Sequence, residues 1–69
     1  MKKYYVMMKT GAIGWGYHVH AMNQNVARNK AVKRAQQETG DKQITAENVE
    51  SVQYEGFYLD QTFIQIFQD

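Results

Sequence analysis

The chain has 69 residues, with eight Lys and Arg against seven Asp and Glu for a net charge of +1, and it contains neither cysteine nor proline. That length holds one small domain over residues 1–69, and the missing cysteines exclude a disulfide, a thiolate metal site and a thiol nucleophile. The near-balanced charge marks neither a strongly cationic nucleic-acid binder nor an acidic mimic, and the expectation is a cytoplasmic protein: no run approaches the roughly 20 apolar residues of a membrane span, and Tyr4 to Met8 is too short for a signal peptide.

Lys2 to Lys9 reads as a strand, with Tyr4, Val6 and Met8 on one face and Tyr5, Met7 and Lys9 on the other. Thr10 to Gly14 brings two glycines, as a hairpin connection often requires. A second strand then runs from about Trp15 to Met22. Its Trp15, Tyr17, Val19 and Ala21 alternate with Gly16, His18, His20 and Met22, and the first set forms the expected buried face. Asn23 is placed to cap a helix over Gln24 to Thr39, and Gly40 to end it. Ala27, Ala31 and Ala35, with Val32 beside them, make a small apolar stripe that lets the helix sit close to a sheet bearing large aromatics.

After a polar connection, Ile44 should return to the core, and Thr45 caps a single helical turn. Val49 to Tyr54 reads as a third strand with Val52 and Tyr54 inward, and Glu55-Gly56 as a turn. Phe57 to Leu59 and Thr62 to Phe67 then form one broken strand or two short ones. Phe63, Ile64 and Phe67 also fit a helical face, but the Thr-Phe-Ile-Gln-Ile-Phe composition favours strand. The expected fold is α+β: an antiparallel sheet of about four strands with one helix on one face, in the order β-β-α-β-β.

Two histidines, His18 and His20, stand about 7 Å apart on one strand face. Zinc needs three or four ligands, and only Glu55 or Asp60 is in reach of recruitment, so no metal and no cofactor is expected. The glycine-rich Gly11-Ala12-Ile13-Gly14-Trp15-Gly16 leads into a strand rather than a helix, so it lacks the helix N-terminus that a phosphate loop uses. The only serine, Ser51, lies in a strand, and no carboxylate pair stands out. A chain this short also rarely encloses a substrate pocket. The expectation is therefore not an enzyme.

Binding is better represented. Arg28, Lys30, Lys33 and Arg34 make the helix the most basic element, and Tyr5 and Trp15 are candidate exposed aromatics. Because one helix covers one sheet face, Tyr5, Met7, Phe63 or Ile64, and Tyr58 fall on the other face, where aromatics and methionine suit an interaction surface unless the C-terminal segment folds across that face and buries it. These six residues, Arg28, Lys30, Lys33, Arg34, Tyr5 and Trp15, are the candidate partner-binding set. The partner would be a protein or a protein–nucleic-acid complex. A nucleic acid bound by the helix cations is one alternative, and a homodimer or larger self-assembly with an accessory role is another.

Lys3-Tyr4-Tyr5-Val6-Met7, Tyr17-His18-Val19-His20-Ala21, the Ala27, Ala31, Ala35 stripe and Asn48-Val49-Glu50-Ser51-Val52 together trace a β-β-α-β pattern. Over roughly residues 3 to 54 this pattern resembles small phage-encoded host-takeover proteins, such as inhibitors of bacterial RNA polymerase and small anti-CRISPR proteins. The resemblance implies a compact module in the host cytoplasm that docks on a large complex and inhibits or modulates it. It transfers no functional residue.

Overall fold

A computed structural model describes residues 1–57. Strand β1 spans Lys2–Thr10, β2 Ile13–Ala21, helix α1 Gln24–Thr39, a short 3-10 turn Ala46–Asn48, and β3 Val49–Phe57. The sheet is antiparallel with β1 in the centre, in the order β2-β1-β3. The class is α+β as expected, and the order over the described residues is β-β-α-β. Of the last strand, expected over Phe57 to Leu59 and Thr62 to Phe67, Phe57 belongs to β3, and the rest lies outside the described residues.

The hairpin is tighter than the glycine spacing suggested. Thr10 pairs directly with Ile13, so Gly11 and Ala12 alone make the turn. Gly11 has φ 56° while Ala12 is not in the positive-φ region, the pattern of a II′ turn with glycine first. Both strands gain a residue or two over the sequence reading because the turn itself needs so few.

Helix α1 follows its local signals at both ends. The Asn23 side chain accepts from the Val26 amide at 2.9 Å, and Gly40, at φ 73°, donates its amide to the Gln36 carbonyl at 2.9 Å. Ala27, Ala31 and Ala35 are fully buried against Tyr4, Val6, Met8, Tyr17, Val19 and Ala21. A methyl-only stripe removes side-chain bulk from the contact, so the sheet's larger residues fill the layer between helix and backbone. Ile44 closes the core at 3 % exposure, held by the Gln36 side chain, which donates to its carbonyl at 2.7 Å. Thr45 caps the 3-10 turn, and Asn48 ties it to β1 by donating to the Lys9 carbonyl at 3.1 Å.

The third strand corrects the sequence reading. Glu55 and Gly56 do not turn the chain; they lie inside β3, which continues to Phe57 opposite Lys2. Two register shifts against β1 leave Glu50 and Glu55 as extra residues, and Gly56 takes φ 135° beside the second. Two bulges let the strand carry turn-like residues without leaving the sheet. Tyr54 lies on the helix side as expected, but it remains 56 % exposed and packs edge-on against Tyr4, with ring centroids 5.7 Å apart. No helix among the described residues is long and apolar enough to cross a membrane.

Candidate docking surface

The six candidate binding residues do not form one surface. Arg28, Lys30, Lys33 and Arg34 lie on α1, Trp15 on the helix side of β2, and Tyr5 on the opposite face of β1. Even within the helix the cations divide. Lys30 and Arg34 turn toward β2: Lys30 donates to the His20 carbonyl at 2.7 Å, and the Arg34 guanidinium sits 4.9 Å above the Tyr17 ring. Arg28 is half-buried about 200° around the helix from Lys30, at two residues' separation. Lys33 is exposed.

Arg34 is further engaged by a carboxylate. Its Nε donates to Glu38 at 3.1 Å, and the Tyr17 hydroxyl donates to the other oxygen of Glu38 at 3.0 Å. The Arg34 bond, and then the Tyr17 bond, hold the Glu38 carboxyl below the usual glutamate value. Burial pushes the Tyr17 phenol up, with Trp15 opposing through a hydrogen bond and Glu38 adding to the rise. The Arg34 charge is thus paired within the chain while its side chain stays half-exposed.

Beside this cluster lies an open groove of about 500 Å³ between the hairpin end and the C-terminus of α1, lined among others by Ile13, Trp15, Tyr17, Glu38 and Ile44. It is open rather than enclosed. Ile13 is 68 % exposed at its rim, and Trp15 is half-buried in its wall, between its expected place on the buried face of β2 and its candidacy as an exposed aromatic.

On the face away from α1 the register brings together Lys3, Tyr5, Met7 and Lys9 of β1, Gly16, His18 and His20 of β2, and Ser51 and Gln53 of β3. Tyr5 and Met7 stand at its centre and are half-buried. The Tyr5 ring lies across Gly16, where a Cβ would overlap the phenol and come 2.8 Å from its Cε1. The same ring packs against the His18 imidazole, with centroids 4.7 Å apart and planes tilted by 42°. His18 Nδ1 in turn meets Glu55 Oε1 at 2.7 Å. Gly16, Tyr5, His18 and Glu55 thus form one ridge across all three strands.

Sequence alternation placed Tyr5, Met7 and the histidines on this face. Glu55, named in the sequence as a residue the fold could bring to the histidines, reaches His18 through the bulge, whereas nothing in the sequence marked Gly16 as the floor for Tyr5. Among the described residues no group of three or more His, Asp or Glu is placed to hold a metal ion. Comparison with protein-family models, curated proteins and solved structures gives no match for this chain.

Proposed function

We propose that the protein is a non-catalytic docking module that binds a protein partner through the sheet face opposite α1. The observation that carries the reading is the placement of Tyr5 and Met7 at the centre of that face, ringed by polar groups. An aromatic and a methionine inside a polar rim match the make-up of protein interfaces, in which a few central apolar anchors dominate the energy. Tyr5 is also held in place by Gly16 and His18 before any partner arrives, which lowers the ordering cost of binding. Lys3 and Lys9 outnumber Glu55 around the anchors, so the complementary surface is apolar with acidic groups. The resemblance of the β-β-α-β sequence pattern to small phage-encoded inhibitors is the ground for taking a host complex as the target and inhibition or modulation as the outcome.

The reading is tested by affinity chromatography of nuclease-treated lysate on immobilised protein. Tyr5→Ala and Met7→Ala keep the far-ultraviolet circular dichroism and lower partner retention at least tenfold, whereas Lys33→Glu leaves it unchanged. Retention lost with Lys33→Glu and kept with Tyr5→Ala puts the contact on α1 and refutes the assignment. Retention abolished by nuclease replaces the protein partner by a nucleic acid, for which a steep fall of log affinity with log salt is the signature.

A further inference from the structure

Among the described residues the sheet has two edges, β2 and β3, which differ in how they are protected. β3 carries two bulges, each with a glutamate as the extra residue, Glu50 and Glu55. Bulges and charges on an edge strand discourage pairing with another chain. β2 has neither. Its nine residues, Ile13–Ala21, include no Lys, Arg, Asp, Glu or Pro, and they pair with β1 without a register shift.

The hairpin fixes which backbone groups this edge presents. Around a two-residue turn the closing pair, Thr10 and Ile13, exchanges both hydrogen bonds. Ile13, Trp15, Tyr17 and Val19 therefore turn their amides and carbonyls toward β1, while Gly14, Gly16 and His18 turn theirs outward. The bond from Lys30 Nζ to the His20 carbonyl agrees with this phase, since that oxygen also points away from β1.

The helix flank above the edge is charged in sequence. Lys30 reaches His20, Arg34 covers Tyr17, and Glu38 takes the Tyr17 hydroxyl, so the charge runs from positive to negative along β2. Asp41 follows at the acidic end beside the groove. A two-fold axis reverses this order in a second copy, so that like faces like in position and opposite in sign.

We infer that β2 is a self-pairing edge, through which two copies of the chain join antiparallel about a two-fold axis beside Gly16, so that their described three-stranded sheets become continuous. Gly14 of one copy pairs with His18 of the other. Trp15 faces the second copy's Tyr17, and the exposed Ile13 faces its Val19. Arg34 of one copy approaches Glu38 of the other. The pairing also sets the two faces bearing Tyr5 side by side, but it rests on the edge and the charge order alone and stands whether or not that face docks a partner.

Sedimentation equilibrium of the full chain over a concentration series, with amide hydrogen exchange on the same samples, tests the inference. The mass rises from 8.0 kDa toward twice that value, and the Gly14, Gly16 and His18 amides become protected as it does. Gly14→Pro removes one outward N–H that makes no bond to β1, and among the described residues a Cβ there meets only Met8 O, at 3.6 Å. That variant stays monomeric with the melting point of the dilute wild type. Glu38→Arg weakens the dimer at least tenfold at low salt, and adding Arg34→Glu restores it. A chain that remains at 8.0 kDa throughout, or a dimer indifferent to both Gly14→Pro and Glu38→Arg, overturns the inference. So does protection of the three amides in the dilute monomer, which assigns the edge to the chain's own residues.

Discussion

Replacing Gly16 by Ala separates the docking ridge from the fold that carries it. Gly16 is not at a positive φ, so alanine adopts its backbone without strain. The three atoms nearest the added methyl all belong to the outer end of the Tyr5 side chain, which can swing away. Two contributions to stability then oppose each other. Alanine in a strand interior gains about 0.5–1 kcal/mol over glycine. Displacing Tyr5 from its ring contact with His18 costs about 0.5–1.5 kcal/mol. The sum lies within about 1 kcal/mol of zero, which for a domain of this size shifts Tm by at most about 4–8 °C. The position of Tyr5 changes far more than the stability. In the wild type the ring shifts the Gly16 α-proton resonances upfield and gives nuclear Overhauser contacts to the His18 ring. In Gly16→Ala those contacts are lost, partner retention falls as in Tyr5→Ala, and the melt scarcely moves. A variant that keeps the Tyr5–His18 contacts, or loses several kcal/mol, refutes the packing described here.

Two further outcomes follow from the core and from the ionised cluster. Ala31→Leu forces a branched side chain into the fully buried helix–sheet contact and costs at least about 1–3 kcal/mol, a large part of the roughly 3–10 kcal/mol available to 69 residues; an unchanged denaturation midpoint would show that α1 does not lie flush on the sheet. Stability is highest between the titrations of Glu38 and Tyr17. The lowered Glu38 carboxyl stabilises the fold above its unfolded pKa, and the contribution is lost as pH falls through the folded value; the raised Tyr17 phenol contributes fully below its unfolded pKa of about 10, and that is lost as pH rises through the folded value. Glu38 is half-exposed, so its acid limb is shallow. Tyr17→Phe removes from a spectrophotometric titration one phenol that ionises above the usual tyrosine value, and an unchanged titration above that value would contradict the burial of Tyr17.

The parts of the fold that were legible in the sequence are those set by neighbours in the chain. The Asn23 cap, the Gly40 end and the alanine stripe of α1 act over three or four residues, and their spacing alone locates the helix. Alternation likewise assigned Tyr4, Val6 and Met8 to the core and Tyr5 and Met7 to the far face, because a strand has only two faces. β3 was cut short because Glu55-Gly56 has turn chemistry, and only pairing with Lys2 and Lys3 shows that it is a bulge inside a strand. The helix cations could be counted but not placed. Arg34 reads as a displayed charge until the fold brings it over Tyr17, seventeen positions earlier in the chain, with Glu38 holding both. The union of Gly16, Tyr5, His18 and Glu55 joins three strands, so no local signal could announce it.

The most direct test of the docking face is site-specific photo-crosslinking. A benzophenone amino acid is placed at position 5 in one variant and at position 33, on the exposed side of α1, in another, and each is irradiated in nuclease-treated lysate. The account predicts a single crosslinked protein from position 5, competed away by unlabelled wild-type chain but not by Gly16→Ala, and none from position 33. Crosslinking from position 33 alone, or competition by Gly16→Ala equal to that of the wild type, would contradict it.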